Sequence, residues 1–233
     1  MNIFYISPPS GPVLVLPEEE SNHCIRVLRM KQGDAIELMD GQGSFYRGII
    51  ARADARKCEV EITGEPVLVP RRPFRIHIAI APTKSIDRLE WFLEKTTEIG
   101  IDRITPVFCA HSERTVLKSE RLQKVLVAAM KQSKQAWLPQ LDAPVKFSSF
   151  VAAQNEDDRF ICTCTAGEAL LLKKQYQNLH SVTLFIGPEG DFTAEEISAA
   201  IAAGFRECSL GSSRLRTETA GITACHSIHV LNM

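Results

Sequence analysis

A cluster of polar and charged residues follows a loop of small residues near the end of the chain. The loop is Gly211 to Ser213, and the residues after it are Arg214, Leu215, Arg216, Thr217, Glu218 and Thr219. An apolar helix is expected to begin here, and its first main-chain amides, which lack partners within the helix, could bind the edge of a ligand. Arg216 and Glu218 would place opposite charges beside that ligand. The alternative is a basic loop before an ordinary capped helix, with no ligand.

A Gly-Pro-Glu-Gly turn stands between an apolar run and a well-marked helix in SVTLFIGPEGDFTAEEISAAIAAGF. Thr193 is the expected N-cap of that helix, and Glu196 completes a capping box. Gly187 and Gly190 let the backbone approach a ligand closely, at the carboxyl end of a strand, where open α/β sheets place their sites. A tight turn without a ligand is the alternative.

The signatures of several other ligand classes do not occur in the sequence. No GxGxxG follows a strand with an acidic residue about 20 positions later, and there is no GxxxxGK[ST] phosphate loop. The G-x-S-x-G turn of hydrolases is also missing. Cys162 with Cys164, and His226 with His229, lack the further ligands that a zinc site needs, so no metal is expected.

Composition and charge indicate a globular protein with one basic region. Of the 233 residues, 45% are hydrophobic and 24% are charged, and the formal net charge is −1. The formal charge is −3 for residues 1–70, +6 for residues 71–137 and −4 for residues 138–233. Such an asymmetry can mark the surface where a polyanion binds. The alternative is a set of solvated helix faces.

The cysteines and the apolar runs indicate in which cellular compartment the protein is expected. The seven scattered cysteines lie mostly in apolar runs and are expected to be reduced core thiols. The N-terminus does not resemble a signal peptide, and no apolar run approaches the roughly 18 residues of a membrane span. A cytoplasmic protein without membrane contact is therefore expected.

Basic residues at helical spacing are the candidate contacts to phosphates. Those of the basic region are Lys84, Arg88, Lys95, Arg103, Arg114, Lys118, Arg121, Lys124, Lys131 and Lys134. Earlier in the chain, NHCIRVLRM is expected to place Arg26 and Arg29 on one helical face, with His23 one turn before them. For each residue the alternative is an ordinary surface charge.

Alternating apolar runs predict two domains. The first has the strands NIFYI, VLVL, DAIELM, SFYRGIIA and CEVEIT, interrupted by one helix in PEEESNHCIRVLRM. After LVPRRPF the apolar residues no longer alternate with a period of two, and helical spacing alternates with buried strands. This change places the domain boundary near Val69 to Arg72. Beyond it, the strands RIHIAIA, RITPVF, DRFICTC, SVTLFIG and ECSL alternate with the helices SIDRLEWFLEKTTEIG, SERLQKVLVAAMKQSKQAW, GEALLLKKQYQ and TAEEISAAIAAG. This order predicts an α/β domain with a mostly parallel sheet.

Five motifs in this order resemble the RsmE family, the 16S ribosomal RNA uridine N3-methyltransferases of the SPOUT superfamily. They are NHCIRVLRMKQGD, APTKSIDRLEWFLEKTTEIGIDRITPV, AAMKQSKQAWLPQL, IGPEGDFTAEE and LGSSRLRTETA, and they span essentially the whole chain. Two positions depart from the family. Lysines flank the Gln132-Ser133 pair, where an acidic residue and Arg are more usual, and Asp191 follows GPEG, where a second glycine is common.

The resemblance implies an α/β protein with an N-terminal PUA-like β-barrel for RNA over residues 1–70 and a C-terminal SPOUT-type trefoil-knotted α/β domain over residues 71–233. It implies a homodimer that binds S-adenosyl-L-methionine in the knot and acts on 16S ribosomal RNA within the small ribosomal subunit. The implied cofactor residues are Thr165, in the turn near Thr163 to Thr165, and Ile186, Gly187, Pro188, Glu189, Gly190, Leu210, Gly211, Leu215, Arg216, Thr217, Glu218, Thr219 and Ala220. The expected RNA-binding residues are His23, Arg26, Arg29, Lys84, Arg88 and Lys95.

Methylation of uridine N3 requires the loss of the N3 proton. Arg216 is assigned to stabilising a phosphate or a uracil oxygen, and Glu218 or Glu189 to proton removal or cofactor positioning. Two alternatives remain open. One is a methyltransferase of the same fold with another target, such as transfer RNA or a ribose hydroxyl, because a fold does not fix a function. The other is a non-catalytic RNA-binding factor of ribosome assembly.

Overall fold

The computed structural model of the chain describes residues 3–153 and 158–233. Within them the chain forms two compact units. The first unit contains the residues up to Arg71 together with Met130–Leu138, and the second contains Arg72–Ala129 and Pro139–Met233. The division of the sequence into residues 1–70 and 71–233 had left Met130–Leu138 with the later part of the chain.

Main-chain hydrogen bonds explain why Met130–Leu138 groups with the first unit. Leu138 donates its N–H to the carbonyl of Gly41, and Gly43 donates to the carbonyl of Ala136, both at 2.9 Å. Trp137 covers Gly43, where an added Cβ would come within 2.4 Å of the indole. Gly43 also has φ 99°, a left-handed conformation that favours glycine.

The described part of the first unit contains a six-stranded sheet, a helical segment early in the chain and the last residues of a later helix. The strands are β1 (Ile3–Tyr5), β2 (Val13–Val15), β3 (Ala35–Met39), β4 (Ser44–Arg52), β5 (Glu59–Ile62) and β6 (Val67–Leu68). Their order is β1-β3-β4-β5-β2, with β6 paired to β4, and all pairs except β1 with β3 are antiparallel. The five predicted strands all occur, although Asn2 of the first lies outside the described residues.

The predicted helix of the first unit ends earlier than the sequence indicated. It comprises α1 (Glu18–Asn22) and one π-helical turn over His23–Val27. Leu28 closes that turn with a hydrogen bond to the carbonyl of His23 at 3.0 Å, and Arg29 has φ 55°. The prediction that Arg26 and Arg29 share one helical face is therefore wrong, because the helix ends before Arg29.

The second unit is a parallel sheet with helices. Its strands are β7 (Ile76–Ile80), β8 (Arg103–Phe108), β9 (Gln140–Leu141), β10 (Val145–Lys146), β11 (Asp158–Cys162), β12 (Val182–Ile186) and β13 (Arg206–Cys208). Its helices are α2 (Ile86–Ile99), α3 (Ser119–Ser133), of which the last residues belong to the first unit, α4 (Phe147–Ala152), α5 (Leu172–Gln175), α6 (Ala194–Ala202) and α7 (Thr217–Leu231). The strand order is β10-β8-β7-β12-β11-β13 with β9 beside β8, and every pair is parallel, as predicted.

Both faces of the parallel sheet are covered, which explains why all five residues of β7 and of β12 are buried. On one face α7 packs beside α2, and an added Cβ at Gly221 would lie 2.5 Å from the ring of Phe92. On the other face Phe185 is surrounded by aromatic rings, with centroid distances of 5.0 Å to Phe150 and 4.8 Å to Phe192.

The helix predicted over GEALLLKKQYQ is wrong. In its place the chain forms a 3₁₀ turn over Glu168–Leu170 and the four-residue α5. Ser209 accounts for the break, because its N–H donates to the carbonyl of Leu170 at 2.9 Å and its carbonyl accepts the N–H of Leu172 at 3.0 Å. These strand-like bonds hold Leu171 extended, at φ −55° and ψ 133°.

Candidate functional site

Three parallel strands of the second unit end side by side. The last residues of β12, β11 and β13 that pair across the two ladders are Ile186, Cys162 and Cys208. Segments that follow parallel strands leave from one edge of the sheet, where open α/β folds form their ligand sites. The three segments after these strands therefore begin next to one another.

The segment after β12, residues 187–192, is fixed at both ends. The Oε1 atom of Glu189 accepts the N–H of Lys84 at 3.0 Å. The predicted capping box is present, with the Thr193 hydroxyl accepting the N–H of Glu196 at 3.2 Å and the Glu196 carboxylate accepting the N–H of Thr193 at 3.1 Å. The Gly-Pro-Glu-Gly turn is therefore held between a buried strand and a capped helix.

The segment after β11, residues 163–166, is held from the neighbouring strand. The hydroxyl of Thr163 donates to Glu207 Oε1 at 2.5 Å, and that of Thr165 donates to the same oxygen at 3.3 Å. The N–H of Ala166 donates to Thr163 Oγ1 at 3.2 Å. The Glu207 carboxylate on β13 thus holds the turn that contains Thr165.

The segment after β13 encloses a cavity with the segment after β11. The cavity has a volume of about 380 Å³, within the range of small-molecule sites. It is called the loop cavity below, and its lining residues are Cys162, Thr163, Cys164, Leu210, Gly211, Ser212, Ser213, Arg214, Leu215 and Ala220. Among the described residues no atom lies within 4 Å of the place where a Cβ of Gly211 would stand, so this glycine leaves the cavity open.

A second cavity, of about 610 Å³, adjoins the loop cavity. It is called the arginine cavity below, and its lining residues are Asp87, Arg88, Trp91, Arg214, Leu215, Arg216, Glu218 and Thr219. Arg214 and Leu215 line both cavities, so the two spaces are neighbours along this stretch of chain.

Glu218 is the buried charged residue of the arginine cavity. It is 5% exposed, and its Oε1 atom lies 3.8 Å from Nε of Arg88. Its Oε2 atom is buried and has no hydrogen-bond partner among the described residues. A buried acceptor without a partner costs about 1–3 kcal/mol. Such atoms call for an explanation, and a ligand that completes the bonding is one.

Only some of the predicted cofactor residues line one of the two cavities. Those that line the loop cavity are Leu210, Gly211, Leu215 and Ala220. Those that line the arginine cavity are Leu215, Arg216, Glu218 and Thr219. The described walls of the two cavities do not include Thr165, Ile186, Gly187, Pro188, Glu189, Gly190 or Thr217. Thr217 instead donates its hydroxyl hydrogen to the carbonyl of Gly187 at 3.0 Å.

Two residues of the arginine cavity escaped the sequence analysis. Asp87 and Trp91 lie on α2, and Trp91 is 44% exposed although it is a large aromatic residue. Trp91 is three residues after Arg88 and four after Asp87, so it neighbours each of them on the surface of the helix. The spacing of Trp91 one turn after Arg88 was the one sequence signal that could have identified this face.

Cys162 and Cys164, which the sequence analysis predicted to be reduced core thiols, line the loop cavity. The prediction of a core position is wrong for Cys164, which is exposed. The Sγ atom of Cys162 lies 3.2 Å from that of Cys208, and all seven cysteines are free. The hydrogen bond with Cys208 and burial raise the pKa of the Cys162 thiol. Burial and the nearby carboxylate of Asp191 raise the pKa of the Cys164 thiol. Both residues are therefore protonated thiols at neutral pH.

The predicted RNA contacts of the first unit are exposed. They are His23, Arg26 and Arg29. Arg26 lines a cavity of about 380 Å³ whose other lining residues are Glu18, Glu19, Asn22, Ala55 and Arg56. Acidic and basic groups therefore share this cavity.

Carboxylates face the predicted RNA contacts of the second unit. Nζ of Lys84 lies 2.8 Å from Glu113, and Nζ of Lys95 lies 2.7 and 3.0 Å from two neighbouring glutamates. Arg88 faces Glu218, as described above. Exposed pairs of this kind contribute little free energy, so Lys84 can exchange its carboxylate for a phosphate at low cost.

Residues 3–153 and 158–233 contain no helix that is long and apolar enough to cross a membrane. No group of three or more His, Cys, Asp or Glu side chains in this part of the chain is arranged to hold a metal ion.

Comparison with known proteins identifies the family. The family model described as an RNA methyltransferase domain matches residues 70–229, and one described as an RNA methyltransferase PUA domain matches residues 16–63. Ribosomal RNA small subunit methyltransferase E of Synechocystis sp. is 32% identical over 230 residues, which cover 94% of this chain and 73% of that protein. The chain belongs to the ribosomal RNA small subunit methyltransferase E family. The predicted membership of the RsmE family is thus confirmed, and the chain is an RNA methyltransferase with a PUA-like domain.

Two solved structures have a fold similar to that of this chain over its whole length. A crystal structure described as a probable rRNA-methyltransferase of Porphyromonas gingivalis is 41% identical, with a TM-score of 0.88 over 100% of this chain and 98% of that one. Ribosomal RNA small subunit methyltransferase E of Neisseria gonorrhoeae, bound to S-adenosyl methionine, is 25% identical, with a TM-score of 0.87 over 100% of this chain and 98% of that one.

Proposed function

We propose that the protein transfers the methyl group of S-adenosyl-L-methionine to N3 of a uridine in 16S ribosomal RNA. The observation that carries the proposal is the pair of adjoining cavities that share Arg214 and Leu215. A methyl donor in one and an acceptor base in the other would meet at this stretch. Membership of the family and the cofactor bound to the relative from Neisseria gonorrhoeae support the assignment of donor and acceptor.

The loop cavity is the proposed cofactor site. Its volume, its small side chains and the main chain that Gly211 leaves accessible suit a nucleoside-sized ligand. When bound, S-adenosylmethionine supplies a methyl group on a positively charged sulfur. The N–C bond to uridine forms as the C–S bond breaks and its electron pair stays on sulfur, so one proton has to leave N3. The cofactor arrives already activated, and the protein chiefly aligns the two reactants.

The arginine cavity is the proposed uridine site. The exposed face of Trp91 suits stacking of a base, and Arg88, Arg214 and Arg216 suit its phosphate or its uracil oxygens. Glu218 is the proposed base, because its buried Oε2 atom has no partner among the described residues and can accept the N3 proton. Glu189 is the weaker candidate, since its Oε1 atom already accepts the N–H of Lys84.

RNA binding is proposed to involve both parts of the chain. In this proposal residues 1–70 are a PUA-like β-barrel, and residues 71–233 are a SPOUT domain whose chain forms a trefoil knot. The contacts to RNA are His23, Arg26, Arg29, Lys84, Arg88 and Lys95. The protein acts as a homodimer on the small ribosomal subunit in the cytoplasm, as part of ribosomal RNA processing.

Calorimetry with S-adenosylmethionine tests the cofactor site. Wild-type protein should bind, and Gly211→Val, which extends a side chain into the loop cavity, should not. Gly64→Val is the matched control, because Gly64 of the first unit also has a positive φ, 75° against 133° for Gly211, and has no described atom within 4 Å of its added Cβ. Absence of binding by folded wild-type protein would contradict the methyltransferase proposal and favour an RNA-binding assembly factor.

Methylation assays with Glu218→Gln test the proposed base. This variant keeps the shape of the side chain but cannot take the proton, so kcat should fall by at least about 100-fold while cofactor affinity is retained. Glu195→Gln, on the exposed side of α6, is the control. Nucleoside analysis of the labelled 16S RNA should yield 3-methyluridine. A methylated ribose, or labelling of transfer RNA alone, would favour the other target class.

A further inference from the structure

Asp191 adopts a backbone conformation that favours glycine. Its φ is 62°, in the left-handed region, where a residue with a Cβ is disfavoured. It follows Gly190 at the position where the RsmE motif commonly has a second glycine. Favourable interactions of the aspartate must therefore offset the free-energy cost of this backbone conformation.

The carboxylate of Asp191 supplies these interactions through two main-chain hydrogen bonds. Its Oδ1 atom accepts the N–H of Phe192 at 2.9 Å, and its Oδ2 atom accepts the N–H of Cys164 at 2.9 Å. The first bond stays within the segment that follows β12. The second reaches the segment that follows β11, so one side chain bridges two of the three segments at the sheet edge.

Two main-chain hydrogen bonds hold the backbone of Asp191, and so fix the position from which its carboxylate bridges the two segments. Its N–H donates to the carbonyl of Pro188 at 2.9 Å, which closes the turn. Its carbonyl accepts the Nδ1–H of His111 at 2.9 Å. Asp191 is only partly exposed, and charge-assisted hydrogen bonds in such surroundings are stronger than bonds between neutral groups.

We propose that Asp191 is a positioning residue for the cofactor, acting through Cys164. Cys164 and Thr163 form the part of the loop-cavity wall that comes from the segment after β11. Glu207 holds this segment at Thr163, and Asp191 holds it at the next amide. The inference rests on the proposed function, because it takes the loop cavity as the cofactor site. It assigns to an aspartate of this chain a function that the glycine of the common motif cannot perform.

The test compares Asp191→Gly with wild-type protein. Glycine relaxes the left-handed backbone, so the turn should persist while both carboxylate bonds are lost. The Kd for S-adenosylmethionine, measured by calorimetry, should rise about tenfold, the effect of one hydrogen bond to a charged group. The KM for the cofactor should rise in parallel, with kcat little changed. Amide hydrogen exchange at Cys164 should be faster in the variant without any ligand present.

Two further variants separate positioning from a general loss of stability. Asp191→Asn keeps an acceptor oxygen and should restore part of the affinity. Asp54→Gly removes a matched aspartate of the first unit, whose Oδ1 atom accepts the N–H groups of Arg56 and Lys57 at 2.8 and 3.0 Å. It should change neither the Kd nor the exchange of Cys164.

An Asp191→Gly protein that binds the cofactor as wild type does would overturn the inference. So would weaker binding with unchanged exchange at Cys164, because the effect would then not act through that amide. If wild-type protein itself fails to bind S-adenosylmethionine, the proposed function fails instead. The exchange measurement still decides in that case whether the carboxylate bridges the two segments.

Discussion

The Thr217 hydroxyl donates a hydrogen bond to the main-chain carbonyl of Gly187 at 3.0 Å, and both residues are buried. Thr217 is the first residue of α7, and Gly187 opens the Gly-Pro-Glu-Gly turn after β12. The bond therefore joins the start of α7 to the edge of the parallel sheet. Because Glu218 is the next residue of the helix, the same bond helps to fix the position of the proposed base.

Replacement of Thr217 by Val should lower both stability and cofactor affinity. The substitution keeps the shape of the side chain but leaves the buried Gly187 carbonyl without its donor, at a cost of about 1–3 kcal/mol. Urea unfolding should report the loss in stability, and calorimetry should report weaker binding of S-adenosylmethionine. Thr217→Ser keeps the hydroxyl and should behave much like wild type in binding. A Thr217→Val protein as stable as wild type would show that the bond contributes nothing.

Gly221→Ala should destabilise the fold by overpacking. The added Cβ would lie 2.5 Å from Cε2 of Phe92 and 3.3 Å from Cδ1 of Ile80, and both side chains are fully buried. Overpacking costs about 1–3 kcal/mol, which exceeds the gain of at most about 1 kcal/mol from replacing a helical glycine. The urea midpoint should fall. Gly167→Ala, where no described atom lies within 4 Å of the new Cβ, is the control. A midpoint at or above wild type for Gly221→Ala would contradict the packing argument.

Local features of this fold could be predicted from the sequence because their causes lie within a few residues. The capping box of Thr193 and Glu196 depends on a spacing of three residues, and it forms as predicted. The apolar runs that become β7 and β12 are buried on both faces, as continuous apolar strands of a parallel sheet are. The order of strands and helices was therefore largely recoverable.

Features that depend on contacts between distant segments could not be predicted. The break at Leu171 is set by Ser209, and the grouping of Met130–Leu138 with the first unit is set by bonds to residues such as Gly41 and Gly43. The arginine cavity joins α2 to the loop before α7, so Trp91 carried no signal in its own neighbourhood beyond its helical spacing. The resemblance to a family indicated which loops bind the cofactor, and only the structure shows which of their residues line a cavity.

The stability of the protein should fall below pH 6.5 because of His229. Burial, followed by the charge of Arg72, lowers the pKa of this imidazole from 6.5. Arg72 donates from Nη1 to Nε2 of His229 at 2.9 Å, so the folded state holds the neutral ring. A hydrogen bond with the main chain of Gly100 and the charge of Asp102 favour the charged ring, but they act more weakly than burial and Arg72, and His226 opposes the charged ring. The unfolded chain therefore binds the proton first, and stability that is complete above pH 6.5 is lost as the pH falls below it.

Urea unfolding at a series of pH values between 5 and 8 tests whether the free energy of unfolding falls as the pH falls. The decline below pH 6.5 should be smaller in His229→Gln, because the glutamine oxygen can accept from Arg72 but does not titrate. An identical pH dependence in wild type and His229→Gln would assign the decline to other groups.

Cys164 should be the thiol that reacts first in the folded protein, and S-adenosylmethionine should protect it. It is the exposed member of the seven cysteines, all of which lie in the described part of the chain. Burial raises the pKa of Cys24 and of Cys225 to about 12, so these thiols stay protonated as well as inaccessible. The pKa of Cys164 is raised too, so its alkylation by iodoacetamide should be slow at pH 7 and faster as the pH rises.

Peptide mass mapping after alkylation at pH 8.5 measures both effects. Because Cys164 lines the loop cavity, bound cofactor should slow its modification, and the modified protein should bind cofactor poorly. Cys164→Ser should resist this inactivation while binding the cofactor normally. Modification that proceeds at the same rate with and without saturating S-adenosylmethionine would contradict the assignment of the loop cavity as the cofactor site.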